Sequence, residues 1–121
     1  ASRAAGLLRR ALSQATFTAD EIAYCDRAVS GQPVAHLAVR FAAKEAALKA
    51  LDTACACAGV ASPPVSLRDI EVRRDSAGRP ALQLHGAAAE LGERLGGDRV
   101  WVSLSHEADY ATAVVVVERL P

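Results

Sequence analysis

The sequence predicts an α+β domain in which a small antiparallel sheet packs with a long central helix and shorter helices. Three observations predict it. Residues 40 to 51, "RFAAKEAALKAL", form an alanine-rich run with helical periodicity. Residues 59 to 66, "GVASPPVS", interrupt the chain, because Pro63 and Pro64 remove backbone donors and fix the backbone. Beyond that break, "DIEVRRDSAGRPALQLHG" and "VWVSLSHEADYATAVVVVE" each read as strand, turn and strand. Helices grouped before strands favour α+β over an alternating α/β arrangement. With 121 residues, residues 1–121 are expected to make one domain with its own core.

The elements follow in order. Leu7, Leu8, Ala11 and Leu12 recur at helical spacing among Arg3, Arg9 and Arg10, predicting a short amphipathic helix with a basic side. In "FTADEIAYC" Thr18 stands three residues before Glu21, the spacing of a capping box, so a second helix starts there. Gly31 and Pro33 separate it from a longer helix over about Val34 to Ala56. After the proline loop, Asp75 to Gly78 supply the turn of a first hairpin. "AAAELGERLGG" predicts a helix ending at Gly96 and Gly97. A second hairpin closes the chain, and its run of valines suggests a strand buried on both faces.

Composition narrows the function classes. Hydrophobic residues make up 51% and charged residues 23%, which excludes a disordered chain. Fourteen basic and fourteen acidic residues cancel, so no overall field draws nucleic acid or an anionic membrane, and a phosphate site has to be built locally. No apolar run reaches the length of a membrane span and no signal-peptide pattern opens the chain, which points to the cytoplasm. Cys25, Cys55 and Cys57 lack the spacing of a zinc site and are expected to be reduced, buried structural residues. The chain contains no methionine and begins at Ala1, so residues upstream are expected to be missing.

Both lysines of the chain, Lys44 and Lys49, flank Glu45 on the alanine-rich helix. At 100° per residue, Leu37, Phe41, Leu48 and Leu51 share one stripe, and alanines cover most of the remaining circumference. Such a helix admits neighbours on several sides and is expected to be central, with Glu45 and Lys49 partly enclosed. Lys44 points near the stripe, where an ammonium is costly unless it escapes to solvent or meets an anion. A solvated Glu–Lys pair at i, i+4 is the plain alternative. The functional one has Glu45 hold a divalent cation while Arg40, Lys44 and Lys49 neutralise phosphate oxygens. On the second hairpin, Trp101, Ser103 and Ser105 share one face and Val102, Leu104 and His106 the other. His106, at a strand end, is a candidate base or phosphate contact, or a loop residue satisfied locally. Tyr110 is assigned to the core, and His36 and His85 to solvent or a helix start.

Taken in order, "FTADEIAYC", "RFAAKEAALKAL", "DIEVRRDSAGRPALQLHG" and "VWVSLSHEADYATAVVVVE" resemble the 4'-phosphopantetheinyl transferases, especially the short holo-[acyl-carrier-protein] synthase type and the related domain of some type I fatty acid synthases. The resemblance spans roughly residues 16 to 119, and "RFAAKEAALK" is its most specific part. It implies the 4'-phosphopantetheinyl transferase fold and a Mg²⁺-dependent enzyme that moves the phosphopantetheine arm of coenzyme A onto a serine of an apo acyl carrier protein, releasing adenosine 3',5'-bisphosphate. The pathway implied is fatty acid or polyketide biosynthesis.

Carried over residue by residue, Glu45 matches the magnesium-ligating glutamate and, with Lys49 near the reacting phosphate, the catalytic pair. Arg40 and Lys44 match basic residues that approach coenzyme A. Ser105 and His106 match the segment lining the nucleotide end from an adjacent subunit, and a homotrimer is implied. Arg3, Arg9 and Arg10 become candidate contacts for the acidic helix of the carrier protein. One departure stands out: the family's first strand, with a "G-[IV]-D" pattern whose aspartate is a second metal ligand, has no counterpart before Ala1. The competing expectation is therefore an inactive coenzyme A-binding or trimer-forming scaffold within a larger synthase.

Overall fold

The structure, a computed structural model, describes residues 15–27, 33–96, 99–107 and 110–118. The predicted basic helix, with Arg3, Arg9 and Arg10, lies outside the described residues. Helix α1 (Ala19–Asp26) opens with the expected capping box: Thr18 Oγ1 accepts from Glu21 N at 3.2 Å, and Glu21 Oε1 accepts from Thr18 N at 3.0 Å. Helix α2 (Pro33–Ala58) begins on a proline, whose missing N–H no helix start requires. It runs two residues beyond the expected Ala56. The reason is its end, where Gly59, at φ 70°, turns left-handed while its N–H reaches Ala56 O, and Val60 N–H reaches Cys55 O at 2.9 Å. That pair of bonds is a Schellman closure, and Val60 packs back on the Cys55 cluster.

A single 3₁₀ turn, Leu67–Asp69, follows the proline loop, with Ser66 Oγ accepting from Arg68 N. Strands β1 (Ile70–Arg74) and β2 (Pro80–Leu84) form the first antiparallel hairpin, with Ile70 opposite Leu84. Asp75 sets its turn by accepting from the backbone N–H groups of Ala77 and Arg79, both at 2.9 Å. Helix α3 (Gly86–Leu95) stops at left-handed Gly96, as expected. Strands β3 (Arg99–Glu107) and β4 (Tyr110–Glu118) make the second hairpin, in register from Arg99 opposite Glu118 to Glu107 opposite Tyr110. Among the described residues the sheets are two-stranded, with α2 packed against both hairpins and both other helices.

Helix α2 is central, but its buried stripe differs from the predicted one. Val39, Ala43, Ala47, Leu51 and Cys55, each four residues on from the last, are buried, while Phe41 is 40% exposed and Leu37 and Leu48 are half-buried. Leu51 of the predicted stripe is in this row and Leu48 packs on the Ala47 cluster, while Ala43 and Ala47 take the closest places because small side chains let backbones approach. Ala47 joins Ile70 and Ala88, and Leu51 and Cys55 join Leu91 and Leu95.

Strand β4 is not buried on both faces: Val115 and Val117 pack on the core, whereas Val114 and Val116 are exposed. Its sheet has a single layer packed beneath it, so alternation wins over the valine run. Tyr110, expected in the core, is 80% exposed because it opens β4 at the hairpin tip. Cys25 and Cys55 are buried free thiols and Cys57 is exposed, against the expectation for that residue. Burial pushes the Cys25 thiol up, which suits an unreactive structural residue.

Candidate active site

The charged groups of α2 separate into two sets with different surroundings. Lys44 is wholly buried, and its ammonium lies 2.7 Å from Glu21 Oε1. Its other donors go to the carbonyl oxygens of Leu67, at 3.1 Å, and Ile70. All three N–H groups are thus committed within the chain, and the anion that justifies a lysine beside the apolar stripe is a glutamate. Burial pulls the Lys44 pKa below its usual value, opposed by the hydrogen bond and charge of Glu21. This placement argues against the expected approach of Lys44 to coenzyme A, since no part of it is open to a ligand.

Glu21 completes the junction. Its second oxygen accepts from Val72 N at 2.9 Å, so one carboxylate joins the start of α1, the middle of α2 and strand β1. The polar chain continues outward. Thr18 Oγ1 donates to Glu71 Oε2 at 2.6 Å, and Glu71 Oε1 lies 3.1 Å from Nε2 of His85, the N-cap residue of α3. Burial works to raise the Glu71 pKa, but the bonds from Thr18 and His85 and the charge of Arg73 outweigh it and hold it below the ordinary value.

Arg40, one turn before Lys44, is buried as well, at 1% exposure, and forms part of the wall of a cleft of about 310 Å³. Its Nη1 donates to His36 O at 3.1 Å, while its Nε is buried with no hydrogen-bond partner. Arg27, Arg73 and Arg74 line the same cleft from α1's end and β1, as do Tyr24, Asp20, Glu21 and Glu71. Arg74 Nη1 donates to Gly78 O at 2.8 Å, and Arg73 Nη1 is bonded to Gln83 Oε1. With these three carboxylates in the same concavity, its four guanidinium groups are largely balanced; Arg27, Arg73 and Arg74, the exposed ones, are those that could meet a phosphate oxygen.

Glu45 and Lys49 point the other way. Both are exposed, rather than partly enclosed as the sequence suggested, and no ion pair joins them. They lie beyond the buried stripe, where α2 faces away from its neighbours. Glu45 offers one hard carboxylate, and among the described residues no group of three metal-ligating side chains gathers. One carboxylate suits Mg²⁺, which commonly takes one or two from protein and the rest of its coordination from phosphate oxygens and water. Ser105 is exposed on β3, and its backbone partner across the hairpin is Thr112; His106 pairs across the hairpin with Ala111.

The residues that sequence reasoning missed are Glu21 and Tyr24, together with Glu71, Arg73 and Arg74. The capping box exposed Glu21 only in its local role. Its bond to Lys44, 23 residues away, leaves no mark in the spacing.

The chain is similar to proteins of one known family. The family model described as the 4'-phosphopantetheinyl transferase superfamily matches residues 2–115. The chain is 45% identical over 102 residues to a holo-[acyl-carrier-protein] synthase of Moorella thermoacetica, covering 84% of this chain and 73% of that one. It is 47% identical over 104 residues to the enzyme of the same name from Syntrophus aciditrophicus, covering 86% and 75%. The crystal structure of the holo-[acyl-carrier-protein] synthase from Neisseria meningitidis superposes with a TM-score of 0.73 at 33% identity, covering 98% of this chain and 90% of that one. An ACPS–coenzyme A complex from Chronobacterium ammoniagenes superposes with a TM-score of 0.67 at 38% identity, covering 87% and 80%. With a family match over nearly its whole length and relatives this similar, the chain belongs to the 4'-phosphopantetheinyl transferase superfamily.

Proposed function

We propose that this chain is a holo-[acyl-carrier-protein] synthase, transferring the 4'-phosphopantetheine arm of coenzyme A to a serine of an apo acyl carrier protein. The observation that carries the proposal is the cleft where Arg27, Arg40, Arg73 and Arg74 gather beside Asp20, Glu21 and Glu71, with the Nε of Arg40 left without a hydrogen-bond partner. It supports a substrate with several phosphates, as coenzyme A is, and relatives at 41–50% identity carry the synthase name.

In the proposed reaction the serine oxygen bonds to the β-phosphorus of coenzyme A. The bond from that phosphorus to the oxygen bridging the two phosphates breaks, adenosine 3',5'-bisphosphate leaves with that oxygen, and the serine proton is released. Lys49, exposed on α2, balances charge on the transferring phosphate oxygens, and the cleft arginines, on the other side of α2, are proposed to take phosphate at the nucleotide end. Glu45 would hold Mg²⁺, which when bound supplies charge neutralisation at the diphosphate. Lys44 acts through position alone.

The proposal includes a homotrimer in which Ser105 and His106 serve a neighbouring copy's site. The outward face of the second hairpin supports it: Trp101, Val114 and Val116 are 55%, 58% and 49% exposed there. Arg3, Arg9 and Arg10 remain the proposed carrier contacts, and a cytoplasmic location goes with that partner. Among the described residues no helix is long and apolar enough to cross a membrane.

The test is the intact mass of an apo acyl carrier protein after incubation with the chain, coenzyme A and Mg²⁺, with Lys49→Ala beside it. A gain of one phosphopantetheine arm, absent without metal and lost in the variant, is expected. Coenzyme A binding without that gain would replace the synthase with a coenzyme A-binding scaffold.

A further inference from the structure

The cleft arginines are held by an aromatic ring that the transfer reaction does not itself require. The guanidinium carbon of Arg40 lies over the Tyr24 ring, 4.6 Å from its centroid, and that of Arg74 lies over the same ring at 5.8 Å. Tyr24 belongs to α1, Arg40 to α2 and Arg74 to the end of β1, so one ring gathers cations from three elements. The His36 ring meets Tyr24 edge-on, at 6.3 Å and 85°, while the His36 carbonyl accepts from Arg40.

Each arginine therefore has one backbone anchor and one aromatic face. Two guanidinium groups sharing a cleft repel, and each loses rotamer freedom on binding a ligand. A ring face offsets the first effect by attracting both cations, and reduces the second by holding both guanidinium groups near it in advance. The unpartnered Nε of Arg40 fits this picture, because a guanidinium held over the ring and tied at Nη1 has little freedom to swing toward another acceptor.

We propose that Tyr24 is a positioning residue for substrate phosphate: its ring gathers the enclosed Arg40 and the exposed Arg74 at the wall of the cleft, fixing where the Arg74 guanidinium meets a phosphate oxygen. This rests on the reading of that cleft as a coenzyme A phosphate site. The hydroxyl plays no part; the ring face does the positioning.

The test measures the coenzyme A KM and kcat in the carrier-loading assay, with calorimetric coenzyme A binding in the absence of carrier. Tyr24→Leu, which removes the ring and keeps an apolar side chain, is expected to raise KM and Kd about tenfold with kcat little changed. Tyr24→Phe is expected to rescue both constants. Arg74→Gln is also expected to raise KM, and its effect should shrink once Tyr24 is already Leu, since the ring and the guanidinium act as one unit. The Arg74 measurement alone decides should Tyr24→Leu fail to fold: an unchanged KM in Arg74→Gln overturns the clamp. Unchanged KM in Tyr24→Leu with a raised KM in Arg40→Gln also overturns it and leaves the cleft assignment standing. Unchanged KM in Arg40→Gln overturns the cleft assignment and the clamp together.

Discussion

Lys44 and Glu21 form a wholly buried ion pair, 2.7 Å from Nζ to Oε1, at the point where α1, α2 and β1 meet. Neither charge can reach water, so their worth depends on each other and on the backbone groups around them. Removing Lys44 alone leaves Glu21 charged in the interior and two carbonyl oxygens without their donor. Lys44→Met is expected to destabilise the fold by about 3–5 kcal/mol in urea denaturation. Glu21→Gln combined with Lys44→Met should recover part of that loss, because Gln still accepts from Val72 while the stranded charge is gone. A single Lys44→Met as stable as the parent would contradict the pair's structural role.

The outer end of the same polar chain gives an acid-dependent prediction. Glu71 has a folded pKa held below its ordinary value of 4.5, with His85 among the causes. A depressed carboxylate contributes stability above its unfolded pKa and loses it as pH falls through the folded one. His85→Ala removes a bond to Glu71 without removing a helix cap, since the His85 side chain makes no capping bond. The variant is expected to be less stable than the parent at neutral pH, and the gap should narrow below pH 4.5 as Glu71 protonates in both. Denaturation midpoints measured across that range check the convergence; a gap that widens on acidification would assign the effect elsewhere.

How much was legible in the sequence depended on how local the cause was. Thr18 and Glu21 are three residues apart, and the capping box they predict is present. The Asp75 turn and the Gly96 stop follow equally from neighbouring residues. Helical spacing correctly placed Lys44 near the buried side, but its partner lies on another helix and no spacing rule reaches it. The stripe through Phe41 is realised in part: Leu51 is buried and Leu48 packs on the Ala47 cluster, but Phe41 is exposed and Ala43 and Ala47 take buried places, since small side chains let neighbouring backbones come close. For the candidate site, the Arg40 cleft is assembled from α1, α2 and β1, and only Arg40 stood out in advance.

Trp101 and Val116 face each other across the second hairpin, and both are about half exposed. With Val114 they make an apolar face that a monomer would leave in water, and self-association is the proposed cover. The chain is expected to sediment as a trimer, and Val116→Lys, which sets a charge at the centre of that face, should shift it toward the monomer. Sedimentation equilibrium on the two proteins checks this. A parent that sediments as a monomer would leave the apolar face unexplained and remove Ser105 and His106 from the proposed site.

Glu45 is the neighbour of Lys44 in sequence and its opposite in surroundings: one is exposed to solvent, the other completely enclosed. An exposed carboxylate with no ion pair to Lys49 has little stabilising work in the fold, so Glu45→Gln should leave stability within about 0.5 kcal/mol of the parent. Under the proposed function the same substitution removes the protein's hard-oxygen ligand, and turnover is expected to fall by about a hundredfold or more. Lys44→Met should do the reverse, lowering the denaturation midpoint strongly while folded protein at low temperature still binds coenzyme A. Measuring the thermal midpoint and kcat for both variants separates a fold-holding charge from a reacting one on the same helix. If Glu45→Gln loses stability and keeps its turnover, the assignment of α2's exposed face to the chemistry fails.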